Sequence, residues 1–198
     1  MQPIRWSRCH LRYHSDVSKE IATLYRADQA ERCPHPAHGT PAYRALRERD
    51  AARRARVREI LRGKKALTRL SRYRAAMILQ HGDEIEDIAL AHTLARAAAD
   101  AGYAPARWLA AASLDRWLMY QGKPQKYGTN IVPDGKRQRV WDVDPATTDI
   151  ERAEWDVPPL AEMQRRAEAL TRGEPIPTMQ DAPDWLKEAV RRWYPVGR

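Results

Sequence analysis

The residues best able to do chemistry are polar side chains set where a helical period calls for apolar ones. Ile78, His81, Ile85 and Ile88 recur at helical spacing, so His81 sits on an otherwise apolar stripe. Gln80 and Asp83 flank it, which gives it an acid–base reading near neutral pH; a satisfied core histidine is the plainer reading. Asp115 interrupts the stripe Ala111, Ala112, Leu118 and Met119 in the same way. A carboxylate on such a face must meet an arginine, a histidine or several donors, and Arg116 or Arg26 can be that partner. His81 and Asp115 are therefore the catalytic candidates. Asp28 and Gln29 make a similar polar insertion near the N-terminus. Asp50 and Arg53, three residues apart in the stripe Leu46, Val57, Ile60 and Leu61, form either an internal ion pair or part of a pocket wall.

The run Gln121-Gly122-Lys123-Pro124-Gln125-Lys126-Tyr127-Gly128-Thr129-Asn130 follows Asp115-Arg116 closely. Gln125, Tyr127 and Thr129 supply neutral donors and acceptors, and Gly128 permits close approach of backbone to a ligand. These are binding groups rather than nucleophiles, and the same residue types also tie down ordered loops. The ligand-binding candidates are Asp28, Gln29, Asp50, Arg116, Gln125, Tyr127, Gly128 and Thr129.

Asp28-Gln29, Gln80-His81-Gly82-Asp83, Asp115-Arg116 and Gln125-Lys126-Tyr127-Gly128-Thr129-Asn130, in this order, resemble a bacterial domain family of unknown activity. Its marks are a DQ pair, a QHAD segment, a DR pair and a QxYGTQ loop, and Pro159-Leu160-Ala161-Glu162-Met163 resembles its closing helix. The resemblance covers roughly residues 21–170 and implies a helical fold and a set of positions, not a reaction. Where members carry His-Asp-x-x-Asn-Thr, this chain has Arg49-Asp50-Ala51-Ala52-Arg53-Arg54. If the replaced His and Asn are catalytic in the family, this chain has different chemistry or none.

There is no Gly-rich phosphate loop, no G-x-S-x-G elbow and no H-E-x-x-H helix. What remains is acid–base chemistry on a small molecule or peptide in a metal-free polar pocket, with no cofactor expected. For a structural zinc, Cys9 with His14 and Cys33 with His35 or His38 have the right ligand types but lack the short Cys-x-x-Cys spacing.

Charge supports an alternative. Residues 41–74 hold thirteen Lys and Arg against Glu48, Asp50 and Glu59, more than the net +9 of the whole chain. A nucleic acid or other polyanion is the partner this suggests, met by Arg44, Arg47, Arg54, Arg58 and Arg62 if they share one exposed face. A solvated arginine-rich surface is the plainer reading. A third possibility is an accessory protein that docks through Trp185, Leu186, Val190 and Trp193.

The elements that must position these groups are helical. The chain of 198 residues reads as a mostly α, single-domain bundle of about six helices, with a long ordered loop or short hairpin near 122–149. Residues 1–20 form an extension, 21–172 the helical domain, and 173–198 a proline-rich link with a final amphipathic helix. Asp16 is read as the cap of a first helix from about residue 17. Ile131-Val132 and Val140-Trp141, either side of Pro133-Asp134-Gly135-Lys136, can pair as strands. Phe is absent, so 7 Trp and 8 Tyr supply the large aromatic packing. No run of about 18 apolar residues occurs, nor the apolar segment of a signal peptide at the N-terminus, and a cytoplasmic setting is expected.

Overall fold

The computed structural model describes residues 8–34, 36, 39–63, 66–173, 175–180 and 182–195, with side chains from Asp16 onward. Among the described residues it contains eight helices and one two-stranded antiparallel sheet. The protein is mostly helical, with more helices than the half-dozen that the periodicity supports. No helix among these residues is long and apolar enough to cross a membrane. The chain divides into two compact units, Met1–Leu109 and Ala110–Arg198, rather than one domain. Among the described residues, the large buried side chains of the first unit are mainly aliphatic, while one buried cluster of the second is centred on Trp141.

In the first unit, α1 spans Arg8–Ala30. It begins well before the expected cap at Asp16, because no Pro or Gly interrupts the chain from Arg8 onward and nothing stops helix propagation. Helix α2, Pro41–Arg62, is capped by Thr40, whose hydroxyl accepts from Tyr43 N at 3.1 Å, with Pro41 in the first turn and Gly63 at the end. Helix α3, Arg69–Leu79, is capped in the same way by Thr68, and α4 covers Ile85–Asp100. Helix α3 packs against α1, α2 and α4. Its fully buried Ala75 and Ala76 let those neighbours approach closely, and Ile21, Leu46, Val57, Ile78, Leu79 and Ile88 fill the space around them. The division between units falls within α5, Ala106–Tyr120.

In the second unit, β1, Ile131–Pro133, pairs with β2, Gln138–Val140, in the register Ile131 to Val140. The turn between them closes on Asp134, whose carboxylate accepts from Lys136 N and Arg137 N at 2.9 Å each. Helix α6, Asp149–Glu154, adds to the helices that periodicity marks and is opened by a reciprocal capping box between Thr148 and Glu151. Helix α7 is Leu160–Gly173 and α8 is Asp184–Trp193. The core gathers Met119, Val132, Trp141, Leu186 and Ala189. Trp185 and Trp193 meet Trp141 edge-on, with centroids 5.5 and 5.2 Å away. The stripe that the sequence offers to a partner thus packs on the core of its own unit, because Trp141 supplies a fully buried apolar seat for it.

One close approach in the first unit is set by a glycine. A Cβ at Gly82 would lie 3.0 Å from Cδ and Nε of Arg54 and 3.2 Å from Leu79 O. Arg54 is buried and has little room to retreat. Gly82→Ala is therefore expected to cost about 2 kcal/mol, measured by urea unfolding, and clearly less in an Arg54→Ala background. Equal costs in both backgrounds would show that Arg54 is not the obstacle.

Candidate functional site

The predicted site residues fall into two groups, one in each unit. In the first, Asp28 near the end of α1 is 1% exposed. Its Oδ1 lies 3.2 Å from His81 Nδ1 and 2.7 Å from Arg32 Nη2, and its Oδ2 accepts from Gln29 Nε2 at 2.7 Å. Burial works to raise the Asp28 carboxyl, but hydrogen bonds and charge from His81 and Arg32 outweigh it and hold the group at about 2. The same Arg32 nitrogen reaches Asp50 on α2 at 3.0 Å, and Arg53 reaches Asp50 at 2.9 Å. Asp50 and Arg53 thus form the ion pair that their spacing allows. Arg53 and Arg49 go on to meet Glu31. Asp28, Gln29, Asp50 and His81 therefore belong to one charge-compensated cluster. Arg32 and Glu31, which no periodicity or motif marks, are its connectors.

The basic helix α2 faces inward more than its composition suggests. Arg54 is buried beside Asp87 of α4, with Nε 3.2 Å from Oδ2. Arg58 meets the same carboxylate at 2.5 Å. Arg47 bonds Asp83 and donates to His81 O at 2.8 Å, while Arg44 donates to Gly39 O. Arg44, Arg47, Arg54, Arg58 and Arg62 hence do not form the continuous exposed face that the polyanion reading needs, because carboxylates from neighbouring elements draw the central ones in. Cys33 is an exposed free thiol. The side chains of Cys9 and His14, and all of His35 and His38, lie outside the described residues.

In the second unit, Asp115 on α5 is fully buried. Oδ1 accepts from Lys126 N at 2.8 Å and Tyr127 N at 2.9 Å, and Oδ2 accepts from Thr129 N at 2.9 Å and Thr129 Oγ1 at 2.8 Å. The several donors that this carboxylate requires are loop amides and a hydroxyl. Burial lifts its carboxyl above the ordinary range, and these four bonds pull the other way without outweighing it. Gln125 is also fully buried: its amide nitrogen donates to Asn130 O and Trp141 O, and its oxygen accepts from Asn130 N. Arg152 of α6, hidden in a short helix that reads as surface, donates to Tyr127 O and Thr147 O at 2.9 Å each. Gly128 has φ +83°, and a Cβ there would meet Leu160 Cδ1 at 3.1 Å. Arg116 is half-buried on α5. The loop is thus a backbone frame whose strongest polar side chains point into its own support.

A cavity of about 410 Å³ opens between β2 and α7, with Arg137, Arg139 and Arg172 in its walls. None of the predicted site residues lines it. No family model, curated protein or solved structure matches the chain.

Two outcomes follow from the buried carboxylates. Asp115→Asn turns an amide N–H toward backbone donors, so it is expected to cost about 3 kcal/mol and to speed hydrogen exchange at Lys126, Tyr127 and Thr129. Unchanged exchange at those amides would refute the anchoring role. Asp28 titrates lower folded than unfolded, so its stabilisation is complete above its ordinary value of 3.8 and disappears as pH falls through about 2. Across that window the wild-type protein should lose roughly 2 kcal/mol more than Asp28→Asn does in urea unfolding. Parallel pH profiles would show that Asp28 is not the group responsible.

Proposed function

We propose that the protein binds and modifies a small molecule or peptide by general acid–base chemistry at His81, in a cytoplasmic setting. The observation that carries this reading is the 3.2 Å contact between His81 Nδ1 and the buried Asp28 carboxylate. An acceptor held ionised makes Nδ1 the donor side of the neutral ring and leaves proton uptake to Nε2. The same carboxylate stabilises the imidazolium formed when a proton is taken up. Gln29, Arg32 and Asp50 hold Asp28 in place and are positioning residues.

Asp115 is a positioning residue of a second kind. It fixes the backbone of residues 126–129, and the functional role read for Arg116, Gln125, Tyr127, Gly128 and Thr129 is to present that frame to a ligand. The resemblance to the family with DQ, QHAD, DR and QxYGTQ marks rests on these same positions and implies no particular reaction. The inward pairing of the α2 arginines weighs against the nucleic-acid alternative.

The test is turnover. Purified protein is incubated with a bacterial small-molecule and peptide extract, and every component is followed by mass spectrometry. The wild-type protein should deplete at least one component. His81→Asn should slow that depletion by about a hundredfold or more, and Asp28→Asn by less, with circular dichroism showing both variants folded. Failure of the wild-type protein to change any component, or undiminished turnover by His81→Asn, would sink the reading.

A further inference from the structure

The cleft between β2 and α7 has no part in the chemistry proposed for His81. One wall is the strand side, with Arg137, Gln138 and Arg139; the other is one face of α7, with Gln164, Glu168 and Arg172. The walls are tied together by Thr171, whose hydroxyl accepts from Gln138 N at 2.9 Å and lies 3.3 Å from Gln138 O. The Thr171 hydroxyl thus bridges the two walls at one end of the gap.

The groups facing it differ in how far they are engaged. The Arg139 guanidinium lies 3.8 Å from the Trp193 ring centroid and 3.3 Å from Asp142, so it is braced in place. Arg137 sits 3.6 Å from Asp134 and is 61% exposed. Among the described residues, the side chains of Gln138, Gln164, Glu168 and Arg172 make no hydrogen bond or ion pair. Glu168 and Arg172 stand four apart on one helix, in the order at which such a pair ordinarily closes. Here both line the cleft and remain apart.

We infer that this cleft binds a small organic molecule carrying a phosphate or carboxylate group. Arg137 and Arg139 already lean on Asp134 and Asp142, so Arg172 is the guanidinium left to meet an anion, and its fork matches either oxyanion with two parallel hydrogen bonds. The Gln138 and Gln164 amides can meet hydroxyl or amide groups on the ligand. Glu168 selects a ligand that also offers a donor. The volume of about 410 Å³ suits a molecule of metabolite size.

Pyrophosphate and citrate serve as probes, titrated by calorimetry at a constant ionic strength of about 0.15 M. One of them should bind saturably with a Kd of about 1 mM or tighter, and which one binds separates phosphate from carboxylate recognition. Arg172→Gln should weaken binding about tenfold or more, and Glu168→Gln should tighten it. Arg165→Gln removes the same charge from the same helix outside the cleft and should change binding less than about twofold. Absence of saturable binding by both probes would overturn the inference. So would an Arg165→Gln effect equal to that of Arg172→Gln, which would mark diffuse charge attraction instead of a site. Neither readout depends on His81.

Discussion

A carboxylate taken out of water must be met by charge or by several donors, and among the described residues five aspartates are buried: Asp28, Asp50, Asp87, Asp115 and Asp134. Much of the architecture is the set of answers to that demand. In the first unit the answer is arginine. Arg32 joins Asp28 to Asp50, Arg53 joins Asp50 to Glu31, and Arg54 and Arg58 converge on Asp87. In the second unit the answer is backbone. Asp115 gathers the amides of one loop, while Asp134 closes the hairpin turn and accepts from Tyr194 Oη at 2.8 Å. Ion pairs of this kind bind helices to one another, whereas amide-gathering carboxylates give shape to segments that have no regular structure.

This distinction explains what was legible in the sequence. Helix ends marked by local chemistry, such as Thr40-Pro41 at one end of α2 and Gly63 at the other, are readable because capping acts over three or four residues. The hairpin is readable for the same reason, through Asp134-Gly135 between short apolar runs. Asp50 and Arg53 announce their pairing by spacing alone. Arg32 does not, because it lies in the turn after α1 and its partners include a residue 18 positions away. Asp87 is equally silent: it looks like an ordinary acidic first-turn residue of α4 and is instead the seat of two arginines from α2. Arg152 reads as solvent-facing on a six-residue helix, and only the folded loop shows that two carbonyls need it.

The wall of the β2–α7 cleft was readable in principle. Arg137 and Arg139 stand two apart where the hairpin turn runs into β2, and Gln164, Glu168, Thr171 and Arg172 recur at helical spacing. What the sequence lacks is the pairing of that strand with that helix, which Thr171 provides through a single hydroxyl. The absence of Phe has a related effect. With Trp as the large core residue, the second unit must also satisfy indole N–H groups. Trp141 and Trp193 do so through Lys123 O and the Asp142 carboxylate at 2.8 Å each, so its apolar centre is hydrogen-bonded at its edges.

Gly82 and Arg54 come from different segments of the chain, yet the missing side chain of one is the space occupied by the other. Such positions do not drift independently. A lineage that gains a methyl group at 82 pushes the Arg54 side chain back by a few tenths of an ångström unless residue 54 is already shorter, and one that shortens 54 leaves Asp87 leaning on Arg58 alone. The path between an Arg–Gly combination and a small–Ala combination therefore costs less through the shortened residue 54. Descendants of this chain should show the two positions changing as a linked pair.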